Sequence, residues 1–358
     1  MQARREFSLG LLAAGLAGCA VTRAPPAPVV RPMWPMPPEQ PRFGYEAVLR
    51  NTASLGEGSK EIQMRRLLTG DDNSGASFGK PLAVAAGSGR VYVTDTEGRR
   101  VFVFDLVRRR TFSFGTRLEG ALKKPAGIAL DANGMVYVVD TTARRLVIYD
   151  ALGLYLRHID GSGAWARATA VAVTPSGDRI YVVDTGGIES EQHQVYVYNA
   201  DGSQVKVIGK RGGQPGEFNL PSDAAVAPDG RLWVLDAGNF RVQTFDANGR
   251  ALRSFGSVGR GTGQFARPRG LAIDRDGLIY VSDASFCNIQ VFRADGELLL
   301  AIGSRGERDA PGRYLLPAKL ACDETGHLYV VDQYFHKIEV LRRLSDAEGL
   351  QRMNAAQS

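Results

Sequence analysis

The sequence predicts an all-β fold, a ring of six four-stranded blades, and three observations lead there. The first is a phrase that returns six times: an apolar strand ending in Asp, a short loop, and a second alternating strand. It reads VYVTDTEGRRVFVF from Val91, VYVVDTTARRLVIY from Val136, IYVVDTGGIESEQHQVYVY from Ile180, LWVLDAGNFRVQTF from Leu232, IYVSDASFCNIQVF from Ile279 and LYVVDQYFHKIEVL from Leu328. The strand-ending residues are Asp95, Asp140, Asp184, Asp236, Asp283 and Asp332, in steps of 45, 44, 52, 47 and 49 residues. A period near 45 with several strands per unit is the signature of a propeller blade. The second observation is turn chemistry recurring between strands, as in Pro228-Asp229-Gly230 and Ala247-Asn248-Gly249, where Gly supplies a positive φ. The third is an incomplete last repeat, which stops at Glu339-Val340-Leu341-Arg342 with no fourth strand.

The chain begins with Arg4 and Arg5, an apolar run over 9–16 and small residues before Cys19. A charged start, a short apolar core and a small-residue end describe a secretory signal over 1–18, and the run is too short to span a bilayer. RREF resembles the twin-arginine export motif. LAGC, at 16–19, resembles the lipobox of bacterial lipoproteins, which implies lipidation at Cys19 and, with Ala20 following, an outer-membrane destination. An ordinary cleaved signal is the alternative. Residues 19–41 are rich in proline, which cannot feed a sheet ladder, and form a tether.

The propeller is expected over 42–344. In its fourth unit, strands a to d fall at 221–227, 231–236, 241–246 and 251–255. Strand b is apolar almost throughout, as expected of a strand covered on both faces. Tyr92, Tyr137, Tyr181, Trp233, Tyr280 and Tyr329 hold one register position in it and belong to the core. An unpaired edge on the last blade invites aggregation, so its missing strand comes from the N-terminal side, with 43–50 (FGYEAVLR) the best candidate. The alternative, 60–69 (KEIQMRRLLT), fits a short helix better. The tail 345–358 is polar and opens on Ser-Asp-Ala-Glu, a capping-box pattern.

The links between units rhyme as well: GQPGEFNLP at 213–221, GTGQFARP at 261–268 and APGRYLLP at 310–317. This Gly, aromatic and Pro pattern resembles the NHL repeat over 81–344, and implies an NHL or TolB-like six-bladed propeller. MWPMPPEQPRFGY, at 33–45, resembles the W-P-x-P-P-E leader of a family of bacterial NHL lipoproteins. That resemblance implies that the leader lies against the propeller. It also implies partners in the cell envelope, among them multihaem cytochromes.

A residue present in every blade is most economically structural, since a unique site needs no six copies. The six Asp residues are therefore assigned to turn and inter-blade hydrogen bonding, as are the basic residues five positions later, Arg100, Arg145, Arg241 and Lys337. Binding residues are sought in departures from the repeat on the face built by the b–c and d–a loops. One departure is an acidic-polar insertion at 186–194. A second is aromatic: Phe240, Phe286, Tyr334 and Phe335, for which an interface and a sealed rim both stay open. A third is basic: Arg99, Lys123, Lys124 and Arg144. Asp223, Arg269 and Lys319, just after the start of strand a, could hold a small anion at the channel mouth.

Chemistry finds little support. His158, His193, His327 and His336 lie in unlike places, whereas a metal needs converging ligands. Lyases resembling this fold place His near the start of strand a, where this chain has Ala126, Ser222, Arg269 and Ala318. Calcium lactonases of similar shape need an acidic set around the channel, and Cys287 has no clear base beyond His336. No catalytic residue, metal or cofactor is expected. Formal net charge is +6, or about +5 without the signal, too modest to name a partner. Nucleic acid is set aside because of the export signal. The expected function is a non-catalytic, lipid-anchored scaffold that binds an envelope protein, with a lyase or lactonase as the alternative. Replacing Cys19 with Ala should move the protein from the membrane to the soluble fraction, and mass spectrometry of the mature N-terminus should find no lipid on the variant.

Overall fold

The computed structural model describes residues 31–55 and 76–357. The signal, the lipobox with Cys19, and the short helix expected over 60–69 lie outside the described residues. Among the described residues, six antiparallel sheets repeat one plan. Blade one comprises Pro81–Gly87, Arg90–Asp95, Arg100–Asp105 and Arg110–Phe114, and blade two Pro125–Leu130, Val136–Asp140, Arg145–Tyr149 and Tyr155–Asp160. Blade three comprises Ala168–Val173, Arg179–Asp184, Gln194–Asn199 and Gln204–Ile208. Blade four is Pro221–Val226, Leu232–Asp236, Arg241–Phe245 and Ala251–Phe255, and blade five Pro268–Ile273, Ile279–Asp283, Asn288–Phe292 and Leu298–Ile302. Blade six has Pro317–Cys322, His327–Asp332 and Lys337–Arg343.

Each first strand touches the first strand of the next blade, and that of blade six returns to that of blade one. The first strands therefore line a central channel. Middle strands such as Leu232–Asp236 are buried at every residue, because neighbouring blades cover both faces, while the outer strand Ala251–Phe255 is largely exposed. The six strand-b aromatics are all buried. Three of them, Tyr137, Tyr280 and Tyr329, donate their hydroxyls to Asp131, Asp274 and Asp323 in the a–b turns at 3.1, 2.8 and 2.9 Å.

One side chain wedges between each pair of blades. Phe78, Leu122, Trp165, Phe218, Phe265 and Tyr314 stand three residues before the start of strand a, and all are buried. Phe218 shares one apolar cluster with Val195 and Ile208 of blade three and Phe245 of blade four. Gly209, Gly256 and Gly303, which end the outer strands with φ of 79–94°, lie against Phe218, Phe265 and Tyr314, where a Cβ would collide with the ring.

The ring closes as expected from its incomplete last repeat. Strand β2 (Phe43–Leu49) runs antiparallel to Lys337–Arg343, from Phe43 opposite Arg343 to Leu49 opposite Ile338, and serves as the fourth strand of blade six. Outside it, β1 (Met33–Trp34) pairs with Phe43 and Gly44, and the Trp34 ring packs on Gly312. The tether expected over 19–41 is thus laid on blade six from residue 33 onward, and the fold begins before residue 42. The polar tail is also ordered. Helix α1 (Asp346–Gln357) is capped by Ser345, whose Oγ accepts from Glu348 N at 3.3 Å while the Glu348 carboxylate accepts from Ser345 N at 2.9 Å. Those bonds, with Arg342, hold the Glu348 carboxyl at about 2. Glu46 of β2 takes Arg342 at 3.0 Å and Arg352 of α1 at 3.2 Å, so both termini are fastened to one strand.

A chain beginning at Ser54 lacks β1 and β2 and leaves Lys337–Arg343 as an open edge. It should lose its cooperative melting transition or aggregate, as followed by calorimetry and light scattering. Melting like the parent would place closure elsewhere.

Candidate binding site at the channel mouth and its loop rim

The rim is organised by the repeated Asp, which is fully buried in all six blades. Each carboxylate joins the incoming d–a link to its own b–c loop. Asp283 accepts from Ala266 N and Arg267 N of the link and from Ser285 N and Phe286 N of the loop, at 2.8–3.2 Å. Asp332 does the same with Leu315, Tyr334 and Phe335 at 2.8–3.1 Å. Asp95 and Asp140 receive the backbone of Lys80 and of Lys123 and Lys124. Asp184 receives Ala166, Arg167 and Gly186. Asp236 receives Asn219 and, from side chains, Asn239 and Arg241, and its burial still raises its pKa above the ordinary carboxylate value.

The basic residue five positions on grips the same link. Arg241 donates to the carbonyls of Gly213, Gln214 and Glu217 at 2.9–3.0 Å, Arg145 to Ala121 O at 2.6 Å, and Lys337 to Arg313 O at 2.9 Å. Arg100 instead lies 4.7 Å from the Phe102 ring centroid.

Strand a carries an irregularity of register directly after the residue that faces this Asp, in every blade. Such bulges re-aim side chains, and here they sit at the channel mouth. The residues there are Leu82 and Ala83, Ala126 and Gly127, Thr169, Ser222, Arg269, and Ala318 and Lys319. Blades one to three thus offer small or apolar groups, and blades four to six polar and charged ones. Lys319 is buried, and its Nζ spans to blade four, donating to Asp223 Oδ1 at 2.7 Å and Ser222 O at 2.8 Å. The other oxygen of Asp223 accepts from Leu271 N of blade five at 2.9 Å. Gly270 permits this crossing, since a Cβ there would run into Ala318 O and the Lys319 Cα. Arg269 is half-buried and donates from Nη2 to Gln333 Oε1 at 2.9 Å. Burial pulls both Lys319 and Arg269 below their ordinary pKa values.

Of the three residues expected to hold an anion, Lys319 and Asp223 therefore neutralise each other, while Arg269 has no carboxylate partner among the described residues. The four rim aromatics also divide. Tyr334 is 57% exposed. Phe335 is half-buried, edge-on to Tyr334 at 5.2 Å and 5.5 Å from the Lys337 ammonium. Phe286 is half-buried, and so is Phe240, which packs beside Phe265 and Trp233. Arg99, Lys123, Lys124 and Arg144 are exposed. Arg99, Arg144, Phe240, Cys287 and His336 share the left-handed position four residues after the Asp, with φ of 50–56°, so backbone geometry groups them as one class.

The insertion at 186–194 is not wholly a solvent loop. His193 is buried, its Nδ1 accepting from Leu220 N at 3.2 Å while Nε2 meets Gly187 O at 3.0 Å, so the proton of the neutral ring belongs on Nε2. Ile188 at its tip is exposed. Sequence reasoning weighed His193 only as a metal ligand and missed its buried structural role, and it passed over Gln333 and a buried cluster in blade six. In that cluster Glu339 accepts from Lys337 Nζ at 2.9 Å, Gly312 N at 3.0 Å and the Tyr314 hydroxyl. A polar residue inside an apolar strand was the available signal for Glu339. Cys287 and Cys322 are unpaired. Among the described residues no group of three or more His, Cys, Asp or Glu is arranged to hold a metal ion.

The NHL repeat model matches residues 218–245 and 265–293. Those residues fall in blades four and five, so the chain is a six-bladed β-propeller in which two blades match the NHL repeat. A comparison with curated proteins finds no match. Among solved structures, the chain is similar to virginiamycin B lyase from Staphylococcus aureus, at 11% identity and TM-score 0.55, covering 84% of this chain and 100% of that one. It is similar to a gluconolactonase from Xanthomonas campestris, at 20% identity and TM-score 0.54, covering 75% and 88%. It is also similar to Kuenenia stuttgartiensis hydrazine synthase, at 15% identity and TM-score 0.55, covering 74% and 84%. At these identities the likeness is one of fold.

Replacing Asp283 with Ala removes a buried acceptor shared by four backbone donors and should cost about 3 kcal/mol in urea unfolding. Lys123→Ala, at an exposed position, should stay within about 0.5 kcal/mol of the parent.

Proposed function

We propose that this chain is a cell-envelope lipoprotein whose b–c and d–a loop face binds a protein partner, and that it performs no chemistry itself. The observation that carries the reading is the division of labour on that face. Residues repeated in every blade are consumed in holding loops, whereas Tyr334 stands exposed on a loop whose backbone is pinned by Asp332. A rigidly presented aromatic loses little freedom on docking, and such residues dominate interface energies. Exposed Ile188 and the basic Arg99, Lys123, Lys124 and Arg144 give the same face further contacts around the rim. Lipid anchoring at Cys19, outer-membrane residence and a multihaem cytochrome assembly as partner class belong to this proposal, on the lipobox and the W-P-x-P-P-E-like leader.

The fold likeness to a lyase and a lactonase supports an enzyme as the second reading. What favours binding is the channel mouth, where Ala126, Ser222, Arg269 and Ala318 stand in the strand-a positions that carry His in the lyases this repeat resembles.

Tyr334→Ala should leave the melting temperature unchanged while reducing recovery of the partner from envelope extracts. Phe335→Ala, which uncovers Lys337, should lower the melting temperature as well. A large fall in melting temperature for Tyr334→Ala would make it a structural residue and move the interface to the basic loops.

A further inference from the structure

The mouth of the channel carries more hydrogen-bond donors than acceptors. Both oxygens of Asp223 are occupied, one by Lys319 and one by Leu271 N. Lys319 has three ammonium hydrogens, and two go to Asp223 and Ser222 O. The guanidinium of Arg269 has five N–H groups, and among the described residues its one hydrogen bond goes to Gln333. Among the described residues, Ser222 Oγ is buried with no hydrogen-bond partner. These groups occupy equivalent bulge positions in blades four, five and six, so they share one level of the channel. Asp332 acts on Arg269 from nearby, but its oxygens accept from Leu315, Tyr334 and Phe335. Arg267, the other close charge, is positive and adds to the imbalance. A desolvated guanidinium with no carboxylate in contact is costly, and an anion seated against it relieves the cost.

We propose that this mouth holds a carboxylate, bound by the free edge of the Arg269 guanidinium with the Ser222 hydroxyl and the remaining Lys319 N–H as further donors. The flat fork of arginine matches the two oxygens of a carboxylate. The small residues of blades one to three leave the opposite side of the mouth without a competing charge. The carboxylate has two sources, a free organic acid or an acidic side chain of a docked protein. The inference deepens the binding reading and rests on the same face, yet its chemistry can be measured with no partner present.

The test is a thermal-shift titration of the purified full chain with sodium acetate and sodium succinate, against sodium chloride at equal ionic strength. The parent should show a saturable rise in melting temperature with the carboxylates beyond that with chloride. Arg269→Met should weaken the apparent affinity by about tenfold or more, and Arg269→Lys, which keeps charge but loses the fork, should fall between. Ser222→Ala provides a second variant that does not depend on how Arg269→Met folds, and should also weaken the response. Saturation below about 1 mM assigns a free acid. Weak saturation, joined to loss of the envelope partner in Arg269→Met, assigns a protein side chain. The inference is overturned if the parent responds to carboxylates no more than to chloride, or if Arg269→Met and Ser222→Ala respond as the parent does. Either outcome leaves the Tyr334 experiment standing.

Discussion

A buried carboxylate satisfied chiefly by backbone N–H groups, and in blade four also by Asn239 and Arg241, is the interaction on which this propeller depends. Each repeat must turn a chain arriving from the previous blade into the innermost strand of the next, and must cross from strand b to strand c at the same place. Both segments present backbone donors at the edge of the buried core. One Asp serves both, which makes the link and the loop a single rigid unit. The requirement also explains why the b–c loops adopt the same left-handed turn despite unlike sequences at that position: Arg99, Phe240, Cys287 and His336 are different side chains on one backbone.

Around this hinge the ring is filled by wedges. The aromatic three residues before strand a enters the gap between blades, and the glycine ending the preceding outer strand lies against it because no Cβ fits. Burying such a ring between two sheets stabilises their contact by roughly 2–3 kcal/mol, and a ring fills five of the six junctions, with Leu122 in the other. Closure then needs one strand from outside the repeats. Strand β2 supplies it, and the leader on one side and α1 on the other are tied to it through Trp34, Glu46, Arg342 and Arg352. Anything that displaces β2 therefore loosens both termini together.

Departures from the repeat differ in kind around the loop face. The charged mouth residues belong to blades four to six, as do the rim aromatics, whereas blades one and two contribute exposed cations to the rim. The Lys319–Asp223 bridge straps three inner strands across the channel, with Gly270 giving it room. It is at once a structural clamp and the boundary of the carboxylate site proposed beside Arg269. The bridge and the Asp332 bonds together hold the backbone on either side of Arg269 and Tyr334.

The sequence by itself determined the number of blades, the strands of the fourth blade to within a residue, the core register of Tyr92 and its five counterparts, and the N-terminal origin of the closing strand. It did so because these features obey short periods and local turn rules. An Asp or a Gly-aromatic-Pro link acts on neighbours a few residues away, and repetition makes the signal additive. Only the tertiary structure decided which exceptions matter. Phe240, Phe286 and Tyr334 look alike in sequence, yet their burial depends on the adjacent blade, and Tyr334 alone is exposed. Lys319 and Asp223 are paired although 96 residues apart, and Arg269, chemically similar to Lys319, has no carboxylate partner among the described residues. Such pairings are set by ring geometry, which brings blades four and six together over a glycine, and no local period encodes them.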